Sequence, residues 1–299
     1  MKILLLTYIL LSLTQSALAI DCDELVARMP EGLLYEKYNT QEPYSGLVTG
    51  RCAGEVSAGL QQGEWLEYHP NMQIKPHGKY VDSKKVGEWL EYYDNGQLKT
   101  REFNADGLRD GQFIQYSTQG QLLMQGVFVN DKEEGEWLEY HPNQQLKMRG
   151  SYTVGKRQGE WLVYFATGDL QLKTEFKDDQ QNGPWFKYHD NGQLKEKGSH
   201  RHDKKHGIWT KYHANGQLEV KCRFIDGMLM GPWVSYHANS QLSKQGVFVD
   251  GLPDGDWNNY DPEGRLFLRE TCERGECEVI CENTEDCSRI LKQLSSNQK

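Results

Sequence analysis

The stretch Gly87-Glu88-Trp89-Leu90-Glu91-Tyr92-Tyr93-Asp94-Asn95-Gly96-Gln97-Leu98-Lys99 decides how this chain folds. Its Asn-Gly pair sits between two strand-like runs, the strongest short-range signal for a two-residue hairpin turn. If Asn95-Gly96 is the loop, counting outward sets Trp89 opposite position 102 and Gly87 opposite position 104. Asn191-Gly192 and Asn215-Gly216 repeat the pair intact. Other copies keep half of it, as Asn71, Asn143 and Asn239 or as Gly120, Gly168 and Gly264.

The pattern recurs every 24 residues on both sides of this stretch. Gly-x-Trp begins at Gly63, Gly87, Gly135, Gly159, Gly183, Gly207, Gly231 and Gly255, and Gly111-Gln112-Phe113 fills the gap. All 8 tryptophans therefore share one phase. A tyrosine follows each, from Tyr68 through Tyr92, Tyr116, Tyr140, Tyr164, Tyr188, Tyr212 and Tyr236 to Tyr260, and a Leu or Ile comes six further on. Tyr44 and Gly54 mark a degenerate copy ahead of the nine. A fixed period of this size signals an array of stacked units.

Strand alternation splits each copy into two faces. One carries Trp, a second aromatic phase (Tyr80, Phe128, Tyr152, Phe176, Phe224, Phe248) and glycines. The other carries the tyrosines, the residue after Trp, and a basic column of Arg101, Arg149, Lys173, Lys197, Lys221 and Arg269. The count sets Trp65 opposite Gly78, Trp137 opposite Gly150 and Trp209 opposite Cys222, so each indole is expected to shield its cross-strand glycine. A lone hairpin buries neither face, so copies must stack edge to edge. The expected fold is all-β: an elongated single-sheet ribbon of stacked antiparallel β-hairpins with short helical caps.

The motif Gly-x-Trp-x-x-Tyr-x-x-Asn-Gly-Gln-Leu-Lys resembles the MORN-repeat variant of bacterial YwqK-family antitoxins, over about residues 39–272. The resemblance implies a β-hairpin array used mainly for binding. Similar arrays are linked to membrane lipids and to protein scaffolding.

Around the array the sequence predicts four further segments. Lys2, the apolar run Ile3 to Leu13 and the small-x-small site Ala17-Leu18-Ala19 make residues 1–19 a secretory signal peptide. Ile20 and Asp21 separate that site from Cys22, which argues against a lipid anchor. Residues 20–38 form an N-terminal cap in which Cys22, Leu25, Val26 and Met29 predict a helical turn or two, stopped by Pro30. The degenerate repeat covers 39–62 and the nine full copies 63–278. Residues 279–299 make a disulfide-linked cap with a short helix carrying Cys287, Ile290, Leu291 and Leu294 on its apolar face.

The formal charge of −9 becomes 33 − 43 = −10 once Lys2 leaves with the signal peptide, which disfavours nucleic acid as a partner. The seven cysteines fit an oxidising compartment, so the mature chain is expected to be secreted or periplasmic. A Cys22–Cys52 bond would tie the N-terminal segment to the array. Cys272, Cys277, Cys281 and Cys287 allow three pairings, with a zinc site as the alternative, and Cys272 to Cys277 reads as a terminal hairpin turning at Arg274-Gly275. Cys222 is left over.

Residues outside the array are too few for a catalytic domain. Consecutive members of the column His69, His141, His189, His213 and His237 are at least two strands, roughly 9.5 Å, apart, too far to share a metal. His200 to His206 reads as a charged, solvated inter-hairpin loop. No cofactor is expected. The function expected is an exported, non-enzymatic binding or scaffold protein with a protein partner. Binding residues are drawn from Tyr92, Tyr116, Tyr140, Tyr164, Tyr188, Tyr212, Arg149, Lys173, Lys197 and Lys221. Glycan or membrane-lipid binding through the aromatic ladder and basic column, and antitoxin-like neutralisation of a toxin, are the alternatives.

Overall fold

A computed structural model describes residues 19–28, 32–37 and 41–280. The leader up to residue 18, Cys281, Cys287 and the C-terminal helix lie outside these residues. The chain divides into two compact units at Gln144/Gln145.

In the first unit the strands Gly46–Thr49, Cys52–Ser57, Leu60–Tyr68, Ile74–Val81, Lys84–Tyr92, Leu98–Ala105, Leu108–Tyr116, Leu122–Val129 and Lys132–Tyr140 each pair antiparallel with the next. The second unit repeats this from Leu146–Thr153 through Leu266–Glu273 and ends on Glu276–Val279. The stacked-hairpin architecture is the one expected. So is the register, with Trp89 opposite Glu102, Gly87 opposite Asn104, Trp65 opposite Gly78 and Trp209 opposite Cys222. The second aromatics face the leading glycines as counted, Tyr80 against Gly63 and Phe176 against Gly159 among them.

The turns differ from expectation. At Asn95-Gly96, Gly96 N–H donates to the Tyr93 carbonyl at 2.9 Å and Tyr93 N–H to the Gln97 carbonyl at 2.9 Å. Only Gly96 of this loop has a positive φ, +82°. This is a type I turn closed by a left-handed glycine, a three-residue loop, and the register shift between Glu91 and Tyr92 absorbs the extra residue. The two-residue type I′ turns lie at the opposite edge. Ala105 pairs directly with Leu108, and Asp106 and Gly107 have φ of 50° and 85°. Asp226-Gly227 and Asp250-Gly251 have the same signs. The segment His200 to His206 is such a hairpin rather than a solvated loop: His200 pairs with Lys205, Arg201 with Lys204, and only His202-Asp203 form the turn.

The role of the glycines also needs correcting. His77 pairs with Leu90 and Lys79 with Val86, so Gly87, Glu88 and Trp89 together oppose the single residue Gly78. This bulge swings the indole back over the preceding strand. An ideal Cβ on Gly78 would lie 2.3 Å from Trp89 Cδ2, and Gly54, Gly126, Gly150, Gly198 and Gly246 lie likewise under Trp65, Trp137, Trp161, Trp209 and Trp257. The glycine beneath each indole is thus the one on the strand before it, not its register partner on the strand after. The leading glycine serves another purpose: Gly87 has open space around it and a φ of +68°, which the bulge demands.

At the N-terminus the expected helix is replaced by strands. Cys22–Glu24 form one 3-10 turn, capped by Asp21 Oδ1 accepting from Asp23 N–H at 2.9 Å. Leu25–Arg28 then pairs with Leu33–Glu36, and Ile20–Asp21 pairs parallel with Gly46–Thr49. So short a helix is marginal by itself. Here Leu25 and Leu34 instead pack on a core of Ile20, Val48, Cys52, Val56 and Trp65.

The Cys22–Cys52 and Cys272–Cys277 disulfides are formed, the second across the Cys272–Cys277 strand pair with Arg274-Gly275 as its turn. That bond resolves the C-terminal alternatives for these two cysteines. Cys222 is free and buried, and burial raises its thiol pKa. Two disulfides are more typical of extracellular or periplasmic proteins. Among the described residues no helix is long and apolar enough to cross a membrane.

Candidate functional site

The Trp face is closed by its own side chains. Tyr80 meets Trp65 and Trp89 edge-on at 6.1 and 4.8 Å, and in the second unit His200 stands edge-on to Trp185 and Trp209 at 6.2 and 5.1 Å. Cations roof the rings: Lys85 lies 4.4 Å from the Trp89 centroid, Arg109 3.7 Å from Phe128, Arg157 4.0 Å from Phe176 and Lys205 3.8 Å from Trp209. Each such contact is worth about 0.5–1 kcal/mol at exposed positions. Arg109 also grips Asp131 and Arg157 grips Asp179, at 2.9 and 3.0 Å, which holds both carboxyls below the usual carboxylate range.

The histidine column is an edge ladder. Nε2 of His69, His189, His213 and His237 donates to the carbonyl of Tyr92, Tyr212, Tyr236 and Tyr260 in the following copy, at 2.8–3.0 Å. The carbonyl partner selects the Nε2–H tautomer. Tyr93 takes the same role through its hydroxyl, 2.9 Å from the Tyr116 carbonyl. Beside it runs an asparagine ladder: Asn95, Asn191 and Asn215 donate to Thr118, Ala214 and Ala238 carbonyls at 2.8 Å. The polar turn residues are occupied in joining one hairpin to the next.

The opposite face carries the tyrosines and the basic column. Tyr92, Tyr116, Tyr140, Tyr164, Tyr188 and Tyr212 end their strands half-buried, and Gln125 Nε2 donates to the Tyr140 hydroxyl at 3.3 Å. In the second unit the pairings bring Arg149, Leu162, Lys173, Phe186, Lys197, Thr210 and Lys221 into one row across successive strands. The row continues through Val234, Gln245 and Asn258 to Arg269. Base and apolar or neutral residue alternate along it because one strand of each hairpin supplies the column and the other the residue after Trp. Lys197 Nζ lies 5.8 Å from the Tyr212 ring, linking the two columns.

Acids from the Gly-x-Trp triplets neutralise part of this column. Glu64 meets His77 at 3.3 Å, Glu88 meets Arg101 at 2.5 Å, and Glu160 pairs with Lys173, raising the lysine's pKa. The acidic stripe of the sequence is therefore half of an ion-pair ladder, and exposed pairs of this kind contribute about 0–1 kcal/mol each. Sequence reasoning found both columns and missed their pairing, although the acid and the base keep a constant separation of 13 residues from copy to copy.

Comparison with known proteins agrees with this geometry. The family model described as MORN repeat variant matches residues 85–103, 133–153, 157–178, 181–202 and 205–226. No curated protein matches the chain. Among solved structures, the TcdB2-TccC3 crystal structure is 14% identical over 72% of this chain and 14% of that one, with a TM-score of 0.19. The GtfA/B complex bound to UDP and GlcNAc is 11% identical over 50% of this chain and 27% of that one, with a TM-score of 0.15. This chain thus spans a small part of either structure, and such scores do not relate the folds. Five copies of the 24-residue period are thus similar to the MORN repeat variant.

Proposed function

We propose that this chain is an exported, non-enzymatic scaffold that binds another protein through the face carrying the tyrosines and the basic column. One observation carries the reading: the indole face is roofed by its own rings and cations, whereas the opposite face presents Lys197 and Lys221 in a regular row. A regular array of half-buried aromatics and cations suits a partner that makes repeated contacts. The two disulfides support export through the leader at residues 1–19. Neutralising an exported toxin would be one form of such binding. Glycan stacking on the Trp ladder is disfavoured because those rings are spent on one another.

The test is capture of partners from extracts of the native host with the tagged mature chain, after mild cross-linking. A stable protein partner, lost when the basic column is reversed in charge, is expected. Recovery of none, together with salt-sensitive co-sedimentation on anionic liposomes or polysaccharide, sinks the reading in favour of a lipid or glycan ligand.

A further inference from the structure

Acid and base on the tyrosine face are paired in several copies. Glu64 accompanies His77, Glu88 accompanies Arg101, and Glu160 accompanies Lys173. The acid is absent from four copies, and in two of them the base is absent too, leaving Gln112 with Gln125 and Pro232 with Gln245. The other two, which are consecutive, keep the base: Pro184 stands where Lys197 would find its acid, and Ile208 where Lys221 would. Among the described residues no carboxylate pairs with Lys197, Lys221 or Arg223. Ile208, directly opposite Arg223, is 60% exposed.

The geometry of this patch is specific. Lys197 and Lys221 flank Thr210 in one row, with Phe186 next to Lys197 and Val234 next to Lys221. The lysines are two strands apart, about 9.6 Å along the stack. A polyproline-II helix has three residues per turn and a rise of ~3.1 Å, so every third residue returns to the same side after about 9.3 Å. An acidic side chain at every third position of such a segment matches the lysine spacing. Prolines between the acids match Phe186, Tyr188, Tyr212 and the exposed Ile208, since proline docks on aromatic and apolar surface.

We propose that the patch formed by Phe186, Lys197, Ile208, Lys221 and Arg223 binds a proline-rich segment of a partner protein with an acidic residue at every third position, laid across the strands as a polyproline-II helix. This rests on the protein-binding reading above and names the site and the chemistry of the partner. The surplus positive charge here, in a chain whose formal net charge is −9, steers an acidic segment to these two copies rather than elsewhere.

The experiment titrates a fluorescein-labelled (Glu-Pro-Pro)4 peptide into the full mature chain at low and at physiological salt. A peptide of the same composition with its four Glu in one block is the comparison. The repeating peptide is expected to bind at least tenfold tighter than the blocked one, more weakly as salt rises. The Lys197→Glu/Lys221→Glu double variant should lose at least tenfold, and Lys197→Gln/Lys221→Gln several-fold. Lys132→Gln, outside the basic column and in the first unit, should stay within about twofold, and an unchanged circular dichroism spectrum shows the variants folded. Equal binding of the two peptides, or no effect of the double variants, overturns the proposal. So does tighter, Lys197- and Lys221-dependent binding to phosphatidylserine vesicles, which assigns the patch to a lipid surface. If the captured host partner binds the Lys197→Glu/Lys221→Glu variant normally, this proposal falls while the protein-binding reading stands. If no partner is captured and the chain co-sediments with anionic liposomes or polysaccharide, the reading falls as well.

Discussion

Two kinds of copy alternate irregularly along the array, and the residue beneath the aromatic ring distinguishes them. Trp65, Trp89, Trp137, Trp161, Trp209 and Trp257 each lie on a glycine and are 2–6% exposed. Phe113, Trp185 and Trp233 stand at the phase where the preceding strand carries Glu102, Thr174 and Cys222, and all three are only half-buried. A Cβ lifts the ring off the sheet, and it leans on the next indole instead: Trp185 on Trp209 at 5.3 Å and 39°, Trp233 on Trp257 at 5.6 Å and 42°. The leading glycine responds in two of the three, with φ of 136° at Gly111 and 131° at Gly183 against 68° at Gly87, while Gly231 stays at 82°. One Cβ thus decides whether a copy buries its aromatic ring by itself or borrows cover from its neighbour.

The largest expected effect tests the glycine floor. Gly78→Ala places a methyl inside the Trp89 ring system and should cost about 2–4 kcal/mol through overpacking and lost indole burial, read as a fall in the denaturation midpoint. A Gly78→Ala protein as stable as the parent would break the comparison. Gly87→Ala should cost less, about 1–2 kcal/mol, because its Cβ meets no atom and only the left-handed φ is penalised. Replacing Gly87 by Asn, which tolerates that φ, should recover part of the loss, whereas Gly78→Asn should not.

The converse change is Thr174→Gly, which should let Trp185 settle onto the sheet. The expected readout is slower exchange of the Trp185 indole N–H with solvent and little change in overall stability, since strand propensity is lost as burial is gained. An unchanged Trp185 would mean that something other than the Cβ holds the ring up. The smallest effect concerns His200, which stands between the raised Trp185 and the seated Trp209. Burial lowers its pKa, and its Nδ1 is buried without a partner. The unfolded chain therefore takes up the proton first as pH falls below about 6.5, and stability declines until the folded pKa is passed. His200→Phe, the residue type of the neighbouring copies, should flatten the melting temperature between pH 7 and 5. The carboxyl groups of Asp131, Asp179 and Asp226, also lowered, act only in more acid solution.

Much of the fold was legible. The 24-residue period needs only inspection, and the two-residue alternation then assigns Trp89 and Leu90 to opposite faces. The turns were harder. Asn95-Gly96 favours a type I′ turn locally, yet the stack turns tighter at Asp106-Gly107, Asp226-Gly227 and Asp250-Gly251, equally strong signals in the same sequence. The loop at Asn95 is longer because its asparagine must reach the Thr118 carbonyl of the next copy, a contact between residues 23 apart that no local propensity encodes. Of the candidate binding residues, Lys197 and Lys221 were visible as basic positions. Their distinction from Lys173 required knowing that Glu160 reaches Lys173 across the strand pair.

By itself the sequence determined the repeat, the stacking of hairpins and the register away from the turns, because each follows from spacing along the chain. Which glycine lies under which indole was decided only in three dimensions. A bulge that sets three residues against one turns the ring toward the preceding strand, and the sheet can accept it only where that strand carries no Cβ. The same holds for charge: a column of lysines is a linear fact, but which of them remain unpaired depends on which acids the neighbouring strand brings within reach.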